Sequence, residues 1–304
     1  MRRGSGHRRS VRETIRLMSA VRVALLTLLA MLAFAGNSLL CRVALNHAAL
    51  NHAGIDPASF TSLRLVAGAV TLWLIVRLKS TKAHAAGRGS WGSAVALYVY
   101  AGAFSTAYVT LPAGTGALLL FGAVQLTMVS VGLWRGDSLR LAQWAGLTLA
   151  VAGLVLLMLP GVSATSLQGA VLMWVAGCAW GIYSLRGQRQ GDPTKVSAGN
   201  FARAVPLAVG ASLMWLDRAH ASGPGMAYAL LSGAVTSGIG YAIWYTAVPH
   251  LKAATAASAQ LSVPVLTALA GTLFLGETLT LRLALACLAT LGGIALVVGV
   301  RRAG

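Results

Sequence analysis

Apolar residues in this chain form long continuous runs that are separated by short polar or basic segments. A helix of about 20 apolar residues is long enough to cross the ~30 Å hydrocarbon core of a bilayer. Because the runs are continuous and do not alternate with polar positions, they argue against a β-barrel. The pattern predicts an all-α membrane protein with ten transmembrane helices. These helices lie near residues 22–42, 58–78, 92–111, 113–134, 140–159, 167–186, 198–216, 226–247, 252–275 and 279–300.

The composition supports a membrane protein and argues against other classes. Of the 304 residues, 57% are hydrophobic and 10% are charged, whereas soluble domains carry about 25% charged residues. The net charge of +18 does not indicate nucleic-acid binding, since the basic residues lie mainly between apolar runs or in the two tails. Cys41, Cys178 and Cys287 lie in apolar runs without a CxxC motif. We therefore expect no disulfide framework, no metal site and no cofactor.

A gapless internal repeat divides the chain into two halves. Residues 111–156, moved forward by 140 positions, align with residues 251–296, and the turn at 136–139 then meets the turn at 276–279. A repeat of about half the chain is typical of transporters built from two similar halves. The predicted parts are a basic cytoplasmic tail (1–21), a first five-helix repeat (22–160), a second five-helix repeat (161–300) and a cytoplasmic C-terminus (301–304).

The distribution of basic residues predicts the orientation. With the N-terminus in the cytoplasm, 19 Lys and Arg residues fall on the inner side and 3 on the outer side. The positive-inside rule then places both termini in the cytoplasm and the protein in the cytoplasmic (inner) membrane. Five helices per half is an odd number, so the second half enters the membrane upside down, as an inverted repeat.

The first apolar run also has features of a signal peptide. A basic segment precedes it, and Ala33-Phe34-Ala35 resembles a cleavage site. The run continues past this site to Leu45, however, and the two-fold plan needs a helix here. We therefore interpret the run as the first transmembrane helix.

Three short motifs carry a family resemblance. They are Gly36-Asn37-Ser38, Asp56-Pro57-Ala58-Ser59-Phe60 followed by Arg64, and Gly276-Glu277-Thr278. Together with the duplicated ten-helix plan, they resemble the EamA-type branch of the drug/metabolite transporter superfamily over residues 22–300. The resemblance implies two EamA repeats, export or uptake of small metabolites, often amino acids, and a cavity lined mainly by the first, third, fourth, sixth, eighth and ninth helices. In one departure from the family, Pro264 of the ninth helix aligns with Val124 of the fourth, so the first half lacks a frequent helix-kinking proline.

Arg64 and Arg203 are basic residues inside predicted helices, at near-equivalent places in the second and seventh helices. An arginine at the centre of a membrane helix costs about 2.5–3.5 kcal/mol on insertion scales. One interpretation is an anion clamp for a substrate carboxylate or phosphate. The other is a structural arginine that reaches the interface or binds helix-end carbonyl groups. A distance of about two turns from a helix end favours the structural interpretation and leaves the clamp as the alternative.

Uncharged polar residues inside the runs are further candidates for the cavity. Buried amides and hydroxyls either hold helices together through hydrogen bonds of ~1 kcal/mol or less, or line a wet cavity at the repeat interface. These candidates are Asn37, Ser38, Gln125, Asn200 and Gln260.

Aromatic residues gather in the third, sixth and eighth helices. Some belong to the aromatic belts of the membrane interface, and others are candidates for the cavity wall. Phe104 and Trp244 correspond in the repeat, and such a pair across the axis would hold an apolar side chain. The aromatic candidates are Phe104, Tyr108, Trp180, Tyr183, Tyr241 and Trp244.

The acidic residues lie outside the helix centres. Asp137 and Glu277 precede Ser138 and Thr278 in the turns before the fifth and tenth helices, so we interpret them as structural groups at helix N-termini. A proton-coupled carrier usually keeps a titratable Asp, Glu or His inside its bundle. The sequence therefore favours a facilitator or exchanger, or coupling through groups at the loop ends.

Small residues in the fifth and tenth helices predict close packing. Gly146, Gly153, Gly292 and Gly293 permit short distances between helix axes. Since these two helices carry almost no polar side chains, we expect them to face lipid or to pack at the periphery.

The sequence favours a metabolite transporter that works by alternating access, and the family resemblance favours amino acids or related polar compounds as its substrates. Transport of drugs, amines or nucleosides and a non-transporting scaffold or assembly protein stay open as alternatives. An enzyme is not expected, because the chain lacks HExxH, a Ser-His-Asp arrangement and a membrane-embedded acid. The expected partners are a small-molecule substrate and the lipid bilayer, without nucleic acid, and either a monomer or a homodimer is compatible with the sequence.

Overall fold

The computed structural model describes residues 4–45, 54–78, 88–136, 138–159, 166–187, 191–251 and 253–299, and the side chains of these residues except 4–19, 253 and 254. These ranges are helical apart from short turns and one isolated antiparallel bridge between Ile55 and Ala221. The first half contains α1 (Gly4–Leu45), α2 (Pro57–Leu78), α3 (Trp91–Tyr108), α4 (Ala113–Trp134) and α5 (Leu141–Met158). The second half contains α6 (Leu167–Gly187), α7 (Pro193–Met214), α8 (Gly223–Leu231), a π-helical segment (Ser232–Ile239), α9 (Gly240–Ala247), α10 (Ala253–Gln260), α11 (Ser262–Leu275) and α12 (Leu281–Gly299).

Each of the ten predicted segments contains a helix. Eight spans within the described residues are long and apolar enough to cross a bilayer, which makes the chain a multi-pass membrane protein. The two predicted segments outside this set contain α3 and α7. The mean hydropathy of α3 is lowered by Tyr98, Tyr100 and Tyr108, and that of α7 by charged and amide side chains.

The surface of the bundle carries large apolar side chains. Leu141, Leu273, Phe274 and Leu288 are each more than 70% exposed, and they lie on or beside predicted membrane spans. In water such a surface would drive aggregation, whereas hydrocarbon tails solvate it without cost. The surface therefore matches a bilayer environment.

Two helix boundaries differ from the prediction for clear physical reasons. α1 begins at Gly4 and not near residue 22, because the basic tail contains arginines, which are good helix formers, and no proline. The ninth segment is interrupted at Leu261, between α10 and α11. Pro264 has no N–H to donate to the carbonyl group of Gln260, so the α-helical hydrogen-bond pattern stops there.

The second helix of each half begins in the same way. Asp56 Oδ1 accepts hydrogen bonds from the N–H groups of Ala58 and Ser59, at 3.0 and 2.9 Å. Asp192 Oδ1 accepts hydrogen bonds from Thr194 and Lys195 at 2.9 and 3.4 Å. In both cases proline follows the capping residue, where its missing N–H has no cost.

Helix contacts between the halves come in equivalent pairs. α2 packs on α7, and α5 packs on α12. α6 packs on α3 and α4, while α1 packs on α9 and α11, which are the counterparts of α3 and α4 in the other half. The surface where the two halves meet is called the seam below. Its middle contains α1, α2, α3, α6, α7 and the eighth span from α8 to α9, and it extends to α4, α5, α11 and α12.

The α5–α12 contact depends on glycine. A Cβ atom at Gly293 would collide with the carbonyl oxygen of Gly146, and one at Gly153 would lie 2.5 Å from Thr290 Oγ1. Gln143 Nε2 adds a hydrogen bond of 2.9 Å to the carbonyl oxygen of Val297. The predicted close approach is confirmed for Gly146, Gly153 and Gly293, whereas Gly292 has no neighbour within 4 Å of its Cβ position.

The glycine contact generates a stability prediction. Gly293→Ala should lower the free energy of unfolding by about 1–3 kcal/mol, because the new methyl group forces α12 away from α5. Gly292→Ala is the matched control, because its Cβ atom would meet nothing within 4 Å. Thermal unfolding of the purified variants in detergent measures the difference. Equal unfolding temperatures for the two variants would show that the α5–α12 contact is looser than described.

Candidate functional site

A group of polar side chains lies buried at the seam, and we call it the central polar cluster. Its members come from both halves, and none is more than 7% exposed. Polar groups of this kind at a repeat interface are where substrates bind in transporters with two similar halves. The cluster consists of Asn37 of α1, Arg64 of α2, Tyr100 of α3 and Ser232, Thr236 and Ser237 of the π-helical segment.

Asn37 links three of these helical segments. Its Oδ1 atom accepts hydrogen bonds from Ser232 Oγ at 2.7 Å and Thr236 Oγ1 at 3.1 Å. Its Nδ2 atom donates to the Tyr100 hydroxyl at 3.5 Å. The amide thus holds the first helix against helices of both halves and orients the hydroxyl groups of the cluster.

Arg64 is the charged member of the cluster. Its Nη2 atom donates to the Tyr100 hydroxyl at 3.1 Å, and its Nε atom lies 3.4 Å from Ser237 Oγ. The guanidinium carbon lies over the rings of Tyr100 and Phe104, 5.2 and 5.0 Å from their centroids. The Nη1 atom is buried and has no hydrogen-bond partner among the described residues. A buried positive charge therefore has neutral partners and an unused donor.

The π-helical segment explains how three hydroxyl groups reach one site. In an α-helix residue i+5 lies well off the face of residue i, because 3.6 residues complete a turn. The wider π turn closes with i→i+5 hydrogen bonds and so returns Ser237 to the face of Ser232. Gly233 lets this segment approach α2, since a Cβ atom there would collide with the carbonyl oxygen of Arg64. Local π-helical turns are frequent at functional sites.

Aromatic rings form a wall beside the central polar cluster. The Trp180 ring lies 4.8 Å from Tyr100, 5.2 Å from Tyr183 and 5.4 Å from Tyr241, measured between centroids. Phe104 contacts Tyr100 at 5.4 Å. Trp180 is only partly buried, so one ring of the wall borders accessible space. We call Tyr100, Phe104, Trp180, Tyr183 and Tyr241 the aromatic wall.

The predicted pairing of Phe104 with Trp244 is not among the described ring contacts. Phe104 instead contacts Tyr108 at 4.7 Å, and Trp244 contacts Phe34 at 6.2 Å. A series of ring contacts connects Phe104 to Trp244 through Tyr100, Trp180, Tyr241 and Phe34.

A second, neutral polar group surrounds Asn200. The Tyr183 hydroxyl lies 3.3 Å from Ser197 Oγ, which donates to the Tyr245 hydroxyl at 3.0 Å. Asn200 Nδ2 donates to Tyr183 at 3.5 Å, and its Oδ1 accepts from the Ser90 N–H at 2.8 Å. The Asn200 amide therefore ties α7 to the start of α3.

Counted from the Asp-Pro pair before each second helix, Asn200, and not Arg203, corresponds to Arg64. Arg64 follows Asp56 by eight residues, and Asn200 follows Asp192 by the same number. Arg203 lies three residues further along, where its Nη1 atom donates to the carbonyl oxygens of Arg88 and Gly199. The expectation that Arg64 and Arg203 are near-equivalent is thus not matched by their surroundings. Arg203 binds backbone carbonyl groups, one in the segment before α3 and one inside α7.

The remaining candidates lie away from these groups. The Tyr108 hydroxyl donates to the carbonyl oxygen of Ala113 at 3.2 Å, which fixes the α3–α4 turn, and Ser38 is buried beside this hydroxyl. Gln125 is buried in α4, and Gln260 is the last residue of α10. The described hydrogen bonds of the central polar cluster include neither glutamine.

Sequence reasoning missed several members of the two polar groups. Tyr100 and Tyr245 were hidden among many aromatic residues. Ser232, Thr236 and Ser237 form the pattern i, i+4, i+5 in an otherwise apolar run. That pattern was the available signal, but it indicates one face only when the helix is π-helical.

One end of the bundle is closed by an ion pair between the halves. Arg42 Nε donates to Glu277 Oε1 at 3.2 Å, and Arg42 Nη1 donates to the carbonyl oxygens of Tyr108 and Val109 at 2.9 and 3.0 Å. Glu277 Oε2 accepts the N–H of Ala113 at 2.8 Å. The two charged side chains are 15% and 18% exposed. This contact joins the end of α1 to the α3–α4 turn and to the loop after α11.

Glu277 caps a different helix from the one predicted. It binds the first N–H of α4, whereas α12 starts at Leu281 and is capped by Thr280, whose Oγ1 accepts the Leu283 N–H at 3.1 Å. Glu277 therefore caps a helix N-terminus, as predicted in kind, but the helix belongs to the other half of the chain. The corresponding expectation for Asp137 lies outside the described residues.

An apolar groove of about 560 Å³ lies between α3, the end of α5 and α6. Its walls include Val99, Met158, Trp174 and Ile182, and its surface is almost entirely carbon. None of the thirteen predicted site residues borders it. The groove is therefore different from the polar passage expected at the seam.

Within the described residues, no three His, Cys, Asp or Glu side chains are grouped as metal ligands, and Cys41, Cys178 and Cys287 are free thiols.

Comparisons with known proteins place this chain among membrane transporters. The model of the EamA-like transporter family matches residues 167–299, from α6 to α12. An uncharacterised protein of Pseudomonas aeruginosa is 56% identical over 280 residues, which cover 92% of this chain and 96% of that protein. The threonine/homoserine exporter RhtA of Escherichia coli K12 is 33% identical over 180 residues, and the RhtA of Salmonella typhimurium LT2 is 33% identical over 184 residues. These matches span 56% of this chain and 57% of each RhtA.

A crystal structure shares the fold. It superposes with a TM-score of 0.61 and 19% sequence identity, over 88% of this chain and 97% of that one.

The hydrogen bonds of Asn37 generate a prediction about stability. Asn37→Ala should lower the free energy of unfolding by about 1–2 kcal/mol, because the hydroxyls of Ser232 and Thr236 lose their shared acceptor in an apolar region. Thr27→Ala is the control on the same helix, since Thr27 donates only to the carbonyl oxygen of Val23 in its own helix. Thermal unfolding in detergent compares the two. An Asn37→Ala variant as stable as Thr27→Ala would mean that the central polar cluster does not hold the halves together.

Proposed function

The chain belongs to the EamA-like transporter family of the drug/metabolite transporter superfamily, and from this we propose that it is a secondary transporter of small polar metabolites working by alternating access. The observation that carries the proposal is the central polar cluster, which joins both halves at the seam. A transporter needs such a site, because a polar solute crossing a bilayer must exchange its water for protein donors and acceptors.

We infer that residues 22–160 and 161–300 are two five-helix repeats inserted in opposite senses, giving ten membrane crossings. Three observations support this arrangement. They are the gapless alignment of residues 111–156 with 251–296, the equivalent Asp-Pro starts of α2 and α7, and the equivalent pairs of helix contacts across the seam. An odd number of helices per repeat then requires inversion.

We place the protein in the cytoplasmic membrane with both termini in the cytoplasm. The support is the excess of Lys and Arg in the loops on that side. In this orientation the contact between Arg42 and Glu277 closes the outer end.

Amino acids and related compounds are the substrates we propose, in the direction of export. RhtA is a threonine/homoserine exporter by name, and it aligns with little more than half of this chain. The hydroxyl and amide groups of the central polar cluster suit the polar part of such a solute, and the aromatic wall suits its apolar part.

Alternating access requires the closed outer end to open while the inner end closes. Arg42 and Glu277 belong to different halves, so movement of one half against the other separates them. The central polar cluster is closed from both sides, since none of its members is more than 7% exposed. We assign the arrangement to an occluded state.

We propose that transport is not coupled to a proton gradient and proceeds by facilitated diffusion or exchange. The described acidic side chains lie at helix ends or in turns, and none belongs to the central polar cluster. A proton-driven carrier usually has a titratable carboxylate or imidazole in its bundle.

A non-transporting scaffold is the second candidate. The tight burial of the polar cluster and the apolar nature of the groove are the observations that favour it. A scaffold needs the polar groups only to hold helices together, and it has no solute.

Solute flux separates the two candidates. Proteoliposomes preloaded with a panel of amino acids, organic acids, amines and nucleosides should show saturable counterflow of at least one class. Asn37→Ala should reduce the initial rate by about tenfold, through disorder of the site, while Gly292→Ala should retain it. A pH gradient should leave the rate unchanged. Absence of counterflow for every class would favour the scaffold, and strong acceleration by the gradient would refute the uncoupled mechanism.

The contact of Arg42 with Glu277 generates a prediction about opening. Arg42→Gln removes a partly buried ion pair worth about 1 kcal/mol, which corresponds to about a fivefold rise in the outward-open population. Cys41 is fully buried beside it and reports this opening through its rate of maleimide labelling. Cys178→Ser and Cys287→Ser remove the other thiols.

The matched control is Arg218→Gln, because Arg218 forms a fully solvated pair with Asp217 at 4.0 Å. Labelling of Cys41 should rise in Arg42→Gln and stay at the wild-type rate in Arg218→Gln. Equal labelling in all three proteins would show that the ion pair does not restrain the outer end.

A further inference from the structure

Arg64 differs from Arg42 and Arg203 in what it binds. Arg42 and Arg203 donate to backbone carbonyl oxygens, as structural arginines commonly do. The described hydrogen bonds of Arg64 go to the hydroxyl groups of Tyr100 and Ser237. Its buried Nη1 atom donates to no group among the described residues. The side chain is 2% exposed, so bulk water does not serve as the partner.

No described carboxylate neutralises Arg64. The titratable side chains around it are the phenols of Tyr100 and Tyr241 and the thiol of Cys41, none of which is an ordinary counter-ion for guanidinium. The described carboxylates are all used elsewhere. Asp56 and Asp192 cap α2 and α7, Asp217 lies beside Arg218, and Glu277 binds Arg42.

Aligning the Asp-Pro starts of α2 and α7 shows that this position carries a charge in the first half alone. At the equivalent position of the second half stands Asn200, whose amide ties α7 to the N-terminal end of α3 through Ser90. A neutral amide is therefore sufficient to fill this position in the fold. The positive charge at Arg64 is an addition that packing does not require, and a charge buried in a membrane protein is costly unless it has a function.

We propose that Arg64 is the receptor for a carboxylate group of the transported substrate, and that the substrates are organic compounds with a single carboxylate, free amino acids included. This inference rests on the proposed transport function. It selects among the substrate classes that the sequence leaves open, because amines, nucleosides and other compounds without a carboxylate would leave the guanidinium unpaired.

The surroundings define how the carboxylate is held. One carboxylate oxygen accepts from Nη1, and the hydroxyl groups of Ser237 and Tyr100 lie close enough to Arg64 to contribute further donors. Charge-assisted hydrogen bonds of this type are shorter and stronger than neutral ones. The contact of Arg64 with Ser237 is long, at 3.4 Å, and is therefore readily replaced.

The single positive charge of Arg64 also limits the charge of the anion that can bind. No second Lys or Arg side chain hydrogen-bonds with the central polar cluster among the described residues. One guanidinium neutralises one carboxylate, whereas a phosphate dianion would leave an excess negative charge in a medium of low dielectric constant. The ammonium group of an amino acid would lie against the aromatic wall, where Trp180 and Tyr241 offer ring faces for a cation–π contact.

The test uses the purified full-length protein in nanodiscs and thermal-shift titration with matched ligands. The first panel contains the common L-amino acids, lactate and pyruvate, and the inorganic anions chloride and phosphate. The best binder is then compared with its own amide and its own alcohol, which keep the side chain and remove the carboxylate. Arg64→Gln removes the charge, Arg64→Lys retains it, and Arg203→Gln serves as the control for loss of a helix arginine.

We expect a monocarboxylate to stabilise the wild type and the Arg203→Gln protein. The amide and the alcohol should bind at least about tenfold more weakly, because a charge-assisted hydrogen bond is lost. Arg64→Gln should lose this preference, and Arg64→Lys should regain part of it. If Arg64→Gln does not fold, the comparison of acid, amide and alcohol on the wild type still decides the question.

Several outcomes would overturn the inference in distinguishable ways. Equal binding of acid and amide, or an unchanged preference in Arg64→Gln, refutes the carboxylate receptor and leaves the transport proposal standing. Equal stabilisation by chloride or phosphate identifies an inorganic counter-ion at Arg64 and refutes it too. Transport of a carboxylate-free solute without binding of any monocarboxylate has the same consequence. Absence of both binding and counterflow refutes the transport proposal itself.

Discussion

The bilayer imposes one constraint on which the rest of this structure depends: a polar group inside it must find its partner within the protein. At the seam this constraint is met by side chains that belong to opposite halves, as when Asn37 accepts from Ser232 and Thr236. The same hydrogen bonds that satisfy these groups therefore also hold the halves together. The Nη1 atom of Arg64 has no such partner among the described residues, and for that reason we place the substrate carboxylate there.

Much of the fold could be predicted because its causes are local. Hydrophobic run length sets the helices, Asp56 and Asp192 set the starts of α2 and α7, and glycine sets the α5–α12 contact. The internal repeat adds long-range information, since it states which helices must be equivalent. The equivalent pairs of helix contacts follow from that information.

The site was less predictable, because its causes are not local. Ser237 lies on the same face as Ser232 only because the segment is π-helical, and the residue pattern does not predict a π-helix. Arg64 and Arg203 look alike as arginines in helices, yet one contacts hydroxyl groups and the other carbonyl groups. Glu277 caps α4 across the seam, a contact that its neighbours in sequence cannot indicate. Partners far apart in the chain decide all three cases.

One buried charge is thereby linked to one function, since a seam that serves only for packing has no use for a guanidinium without an anionic partner among the described residues. The most direct test is an experimental density map of the protein in nanodiscs, at a resolution that separates bound small molecules, prepared in the presence of the best-binding monocarboxylate. We predict density for a carboxylate within hydrogen-bonding distance of Arg64 Nη1, bordered by the aromatic wall. A dry seam in which a protein carboxylate or carbonyl oxygen occupies that position would contradict it.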